Sequence, residues 1–314
     1  MLLIVPADPL RPRRPDDHFA PEAHAAQDLG VSVALVDHDA LARGDDVPQV
    51  VSQATVEGEA VYRGWMLRSE RYAAFAAALA GRGVTLRTNG EQYRRAHELP
   101  GWYPDLADLT PRTTWTVGTR RADFDRARRD LGGGRAVLRD FAKSMKHHWH
   151  EAALIPDLGD GDAAWAVASR FLDLRGDDVV GGFVLRRFER FATAEVHTWW
   201  VDGGCVLVGA HPDSPHDTPP GDFDPRPLAA SIAALRLPFV TVDLALRADG
   251  VWRIVELGDG QVSDRPVTIA PEALVGALFT DPAARPPVAR PLSFRTARRA
   301  TPRRSPPPRS PPGP

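Results

Sequence analysis

Two runs of alternating apolar and polar residues, Phe239 to Arg247 and Val251 to Leu257, flank the dipeptide Asp249-Gly250. Asp-Gly is a strong former of two-residue turns, so this segment is predicted to be a β-hairpin. Such a turn fixes the register, placing Asp243 directly opposite Glu256 with both side chains on one face. The other face carries Val242, Leu244, Leu246, Val255 and Leu257, a core pattern. Directly opposed side chains lie about 4.5–5.5 Å apart, and like charges there repel. Two carboxylates held this way call for a cation, and a few hard oxygen donors suit Mg²⁺ shared with substrate phosphates. Asp259 and Gln261 follow at the strand end, in Glu256-Leu-Gly-Asp-Gly-Gln261. The competing reading is a solvated acidic face balanced by Arg247 and Arg253.

A second constellation is Arg139-Asp-Phe-Ala-Lys-Ser-Met-Lys146, where a predicted strand runs into a loop. Of 39 basic residues only Lys143 and Lys146 are lysine. A compact ammonium charge is therefore expected to matter in this loop, and Arg139 with Lys143 has the spacing to hold phosphates. His147 and His150 lack a third metal ligand nearby in sequence. The third constellation is Val184-Leu-Arg-Arg-Phe-Glu189 followed by Glu195-Val-His197, an apolar strand entering a polar region. Arg186 is the candidate clamp there; an edge strand with ordinary surface charges is the alternative. Trp199, Trp200 and Cys205 read as packing.

Before these motifs, apolar runs at 2–5, 31–37, 60–66 and 84–87 alternate with helical patterns at 22–29 and 69–81. That alternation argues a small α/β layer with mostly parallel strands. A short helix is expected over 89–99 and a loop-rich connector over 100–111. Later strands at 113–117, 135–141, 181–188, 194–201 and 205–210, with helices at 123–131, 162–174, 225–235 and 270–279, give an α+β pattern. The fold class is thus α/β followed by α+β, divided as 1–88, 89–280 with a subdomain split near 181, and 281–314. From Arg285 onward there are eight arginines and no acid, in a proline-rich context that predicts disorder. Net charge is −2, which leaves near −10 on the remainder and disfavours a nucleic-acid surface outside that basic tail. A single cysteine and no long apolar run predict a cytoplasmic chain with no membrane span. The short apolar run before Pro6 does not have the form of a signal peptide.

The text "AVLRDFAKSMKHHW", "GGFVLRRFERF", "AEVHTWWVDGG" and "FVTVDLALRADGVWRIVELGDGQVS", in that order, resembles the ATP-grasp superfamily. The likeness is to its clade marked by paired arginines and a lysine, and the lead-in "LRTNGEQYRRAHELPGWYPDL" shares it. It implies an ATP site between two α+β subdomains behind a smaller α/β domain. It implies Arg139 near the α-phosphate, Lys143 in the loop over the phosphates, and Arg186, Arg187, Phe188 and Glu189 as the hinge meeting adenine and ribose. Glu195 belongs to the same nucleotide set, and Asp243, Glu256 and Asp259 take the Mg²⁺ positions, with Lys143, Arg186 and Glu256 as the catalytic candidates. The implied reaction uses MgATP to turn a small-molecule or peptide carboxylate into an acyl phosphate for capture by an amine. Arg139 stands where lysine is commoner, and His197 where the clade usually has arginine. The alternatives are an inactive nucleotide-binding protein of the same fold, a metal-dependent phosphodiesterase, which would need a lysine just after the second acid, and an interaction module working through the tail.

Overall fold

The computed structural model describes residues 1–280 apart from positions 46 and 55 and the side chain of Gln53. The expected disorder of 281–314 lies outside the described residues. The first layer is built from β1 (Leu2–Asp8), β2 (Arg11–Pro15), α1 (Ala20–Asp28), β3 (Ser32–Val36), α2 (His38–Arg43), α3 (Val47–Val50), β4 (Gly58–Tyr62), α4 (Ser69–Ala80) and β5 (Val84–Leu86). Leu2 to Val5 are buried on both faces of β1, as a central strand requires. It pairs in parallel with β3 and β4, β4 pairs in parallel with β5, and β2 returns antiparallel along the end of β1. The predicted parallel layer is therefore present, with β2 as an addition that its prolines and arginines had concealed.

Next come α5 (Gly90–His97) and α6 (Leu99–Leu106). Asn89 and Gln92 close a reciprocal capping box that starts α5. The second helix replaces the connector expected over 100–111. Pro100 sits in its first turn, where a missing N–H is harmless, and burial of Leu99, Trp102 and Leu106 sustains the helix despite Pro104.

The second sheet contains β6 (Thr113–Trp115), β7 (Ala136–Arg139), β8 (Leu154–Ile155) and β9 (Val184–Arg187), in the order β6-β9-β7-β8, all antiparallel. Helices α7 (Arg121–Leu131) and α8 (Gly161–Arg175) supply its core through Phe124, Leu131, Ala164 and Phe171. The third sheet contains β10 (Val196–Val201), β11 (Gly204–Ala210), β12 (Phe239–Leu246) and β13 (Trp252–Asp259), in the antiparallel order β11-β10-β12-β13. Helix α9 (Ala229–Ala234) precedes β12, and α10 (Pro271–Phe279) closes the described chain against α1. One face of the third sheet packs Val196, Trp200, Val242 and Leu257 against Leu99 and Trp102. Among the described residues no helix is long and apolar enough to cross a membrane.

The β12–β13 hairpin keeps the expected Asp243–Glu256 pair but reaches it by another route. Its turn is a three-residue loop, closed by Arg247 N–H on Val251 O and Gly250 N–H on Arg247 O, with Gly250 at φ +86°. That shifts the first pairs to Leu246–Trp252 and Leu244–Ile254, and a bulge at Val255 restores Asp243 opposite Glu256. The bulge is occupied: Arg186 donates to Val255 O, and Thr110 Oγ1 donates to Ile254 O at 2.8 Å.

Candidate nucleotide and metal site

Strand register aligns one row of side chains across the third sheet. Gly209 pairs with His197, His197 with Asp243, and Asp243 with Glu256. All share the face opposite the Leu99–Trp102 core, because side chains alternate along each strand. This face forms the floor of a cleft of about 780 Å³, including its mouth, with Lys143, Lys146 and His97 among its other lining residues.

The opposing wall is cationic. Arg139, at the end of β7, is buried, and its Nη2 donates to Ala142 O at 2.8 Å and to Glu256 Oε1 at 3.1 Å. The loop beyond it is shaped by Asp140, which is fully buried. Asp140 Oδ1 accepts the N–H groups of Ala142 and Lys143 at 2.8 and 2.6 Å, while Oδ2 accepts Arg175 Nη2 at 2.8 Å. Lys143 is thereby presented to the cleft. Burial pushes its ammonium pKa down, Glu256 opposing and Arg139 reinforcing that effect. Burial also pushes the Glu256 carboxyl up, but Arg139, Lys143 and Arg186 outweigh it and bring it down to about 2. Glu256 is thus a fixed negative charge facing three cations.

Arg186 is buried, with Nη2 donating to Thr110 Oγ1 at 2.6 Å and Nη1 engaged by Val255 O; its Nε has no partner among the described residues. Burial and then Arg139 lower its pKa to about 10, against the pull of Glu256. The arginine expected to clamp substrate is therefore anchored on the hairpin bulge while its charge acts on Glu256.

Asp259, Arg187 and Glu189 are each engaged by other groups of the protein. Asp259 pairs with Val240 on the face away from Asp243 and Glu256. Its Oδ1 accepts Gln261 N–H at 2.9 Å and Gln261 Nε2 at 3.2 Å, and Gln261 in turn donates to Tyr72 Oη at 2.7 Å. Burial raises its carboxyl pKa to about 7; Oδ1 is tied through Gln261 towards the first layer, while Oδ2 has no partner among the described residues. Arg187 turns to the carbonyls of Leu131, Gly132 and Gly133, where it caps the C-terminus of α7. Glu189 is held by Arg253 at 3.0 Å and Arg247 at 3.4 Å, so those arginines balance Glu189 and not the hairpin pair. Phe188 lies under the Arg135 guanidinium, 4.2 Å from ring centroid to Cζ, at the end of β9.

Glu195 does reach the site. Burial first, then Asp243 and Glu256, raise its carboxyl pKa to about 7. His197 Nδ1 meets Asp243 Oδ1 at 2.5 Å. Sequence reading missed Asp140, His97, His211 and Asp213. Only Asp140 carried a local signal, an Asp at a strand end opening a turn.

A smaller cleft of about 410 Å³ lies beyond the carboxyl ends of β1 and β3 and is lined by Asp8, Asp16, Asp37 and Asp39 with no lysine or arginine. Such a lining repels polyphosphate, so the nucleotide candidate is the cleft over the third sheet.

Two antiparallel sheets bordering a cleft lined by cations and paired carboxylates, behind an α/β layer, give the chain an ATP-grasp fold. More narrowly, residues 130–278 match the sequence profile of the ATP-grasp domain, family 3 of the clade named for two arginines and a lysine. No curated protein matched the sequence. Among solved structures, the chain is similar to a RimK domain ATP-grasp protein from Sphaerobacter thermophilus, with 20% identity and TM-score 0.59 over 89% of this chain and 99% of that one. It is similar to the D-cycloserine synthetase DcsG, with 20% identity and TM-score 0.57 over 88% and 100%. It is also similar to the ATP-grasp ligase PsnB in complex with a minimal precursor, Mg and ADP, with 13% identity and TM-score 0.53 over 88% and 96%.

Proposed function

We propose that this protein uses MgATP to activate a carboxylate and join it to an amine. The observation that carries the reading is one cleft lined by Lys143 and by the Asp243–Glu256 pair, with the charges of Arg139 and Arg186 acting on Glu256. The cations fit phosphates, and the paired carboxylates fit the metal that accompanies them. Asp243 and Glu256 would hold Mg²⁺, which when bound offsets charge on the transferring phosphoryl group. The ligase or synthetase names of DcsG and PsnB, and the Mg and ADP bound to PsnB, support the same class.

In this reading Arg139 and Lys143 orient the triphosphate, and Arg186 fixes the hairpin that carries Glu256. The stretch from Arg187 to Glu189 serves as a hinge beside adenine and ribose, its charged groups held on α7 and by Arg253. A substrate carboxylate attacks the γ-phosphorus, the bond to the β-phosphate oxygen breaks, and ADP leaves. The acyl phosphate formed is attacked at carbon by an amine, and inorganic phosphate departs as the amide forms. Positioning and electrostatics supply the catalysis, with no covalent enzyme intermediate. The acid and amine are small molecules or peptide groups, the chain divides at 88/89 and near 181, and its lone cysteine suits the cytoplasm.

The test is ADP formation from ATP and Mg²⁺ with a panel of amino acids and peptides. Acid- and amine-dependent ADP release supports ligation. Nucleotide binding with no turnover across the panel supports the second reading, an inactive binder, which His197 favours by standing in the arginine position of the clade.

A further inference from the structure

Strands β10 and β11 end side by side above the Asp243–Glu256 pair. Their ladder joins His197 to Gly209 and Val196 to Ala210, so Glu195 and His211 occupy the next opposed position, on the face that bears Asp243. His211 Nε2 lies 3.9 Å from Glu195 Oε2 and 3.8 Å from Asp243 Oδ2, and the three donors all fall within 4.8 Å of one another. We propose that Glu195, His211 and Asp243 form a second cation site, one that takes a divalent transition ion such as Mn²⁺ and binds it without nucleotide.

The donor set decides the class of ion. An imidazole nitrogen beside two carboxylates suits Mn²⁺ through Zn²⁺, whereas Mg²⁺ prefers oxygen and retains its water.

The surrounding groups are those a ligating histidine and carboxylate need. Asp243 is oriented through its other oxygen by His197 Nδ1 at 2.5 Å. His197 is buried, and its Nε2 has no partner among the described residues, so holding Asp243 is the one polar contact of its ring there. The Asp213 N–H donates to His211 Nδ1 at 3.1 Å, and the Asp213 carboxylate stands 3.7 Å from the same ring nitrogen. A cation on Nε2 requires a proton on Nδ1, so its binding exchanges the Asp213 N–H contact for one in which Nδ1–H donates to the nearby Asp213 carboxylate. Lys146 pairs with Asp213 and keeps that carboxylate at the cleft mouth.

The proposal shares Asp243 with the MgATP reading, and the experiment separates the two. The full chain is titrated with MnCl₂ in the absence of nucleotide and followed by calorimetry and by pulsed EPR for nitrogen coupling to the bound ion. Expected are tighter binding of Mn²⁺ than of Mg²⁺ and a nitrogen coupling. His211→Ala and the milder His211→Asn should both lose that coupling while keeping the metal-free melting temperature. Asp213→Asn should weaken Mn²⁺ by about 10–100-fold. Glu256→Gln should leave Mn²⁺ binding intact even as it removes the MgATP response. Equal affinity for Mg²⁺, unchanged coupling in His211→Ala, or loss of coupling in a His147→Ala/His150→Ala variant would each overturn the assignment.

Discussion

Replacing Glu256 with Gln keeps its size and removes its charge, which makes it the most direct test of the cleft. Arg139, Lys143 and Arg186 bring its carboxyl down to about 2 from an ordinary value of 4.5. A carboxyl depressed by folding stabilises the native state above its unfolded value, and that contribution is lost as pH falls from about 4.5 to about 2. At neutral pH the depression corresponds at face value to roughly 3 kcal/mol. The side chain is 42% exposed, and solvent screening reduces this to about 1–2 kcal/mol. In a chain of this size Glu256→Gln should lower the melting temperature by about 2–8 °C and leave the protein folded. The larger effect is on ligand. MgATP at a hundredfold excess over its dissociation constant should stabilise the native protein by about 2.7 kcal/mol, and Glu256→Gln should abolish the Mg-dependent part. Thermal shift with ATP, with and without Mg²⁺, reads both quantities. A full Mg-dependent shift in Glu256→Gln would refute the metal assignment, and an Asp259→Asn variant that lost the shift would return Asp259 to the metal set.

Asp140→Ala should cost about 3–5 kcal/mol in urea unfolding, because it strands Arg175 and two loop N–H groups that the buried carboxylate now satisfies. Arg63 is fully buried, binds Glu22 at 2.7 Å and donates to the carbonyls of Gly260 and Ser263 at 2.7 and 2.8 Å. Arg63→Ala should therefore cost about 3–5 kcal/mol and loosen the segment after β13, visible as faster amide exchange there. Burial raises Asp259 to about 7 from an ordinary value of 3.8, so the native state holds a proton that the unfolded chain releases. Its contribution to stability is present below pH 3.8 and is lost as pH rises through about 7, by up to roughly 4 kcal/mol. Asp259→Asn should flatten this segment of the pH–stability curve measured by urea unfolding.

The predicted two-residue Asp-Gly turn does not form, and Asp243 opposes Glu256 because the Val255 bulge offsets a three-residue loop; only the alternation around the pair is legible in sequence. The Val255 bulge is not, since it answers a distant demand: a buried Arg186 needs carbonyl partners, and a regular ladder would have consumed Val255 O. The same kind of demand governs Arg187, whose partners lie at the end of a helix more than fifty residues away in the chain. Asp259 misleads for the opposite reason. It sits in an acidic motif beside Glu256, yet three residues along a strand reverse the face, so its carboxylate turns to Gln261 although the residue borders the same cleft. His211 carries no periodic signal in Ala210-His-Pro-Asp213 and becomes visible only when the β10–β11 ladder sets it opposite Glu195. Local pattern thus fixes which residues share a strand face, whereas the chemistry of this cleft depends on which faces meet and on which charged groups are already satisfied by backbone. Lys143 illustrates the second condition. Its backbone N–H is held by Asp140, while its Nζ makes no side-chain hydrogen bond among the described residues, so its ammonium is available to a phosphate.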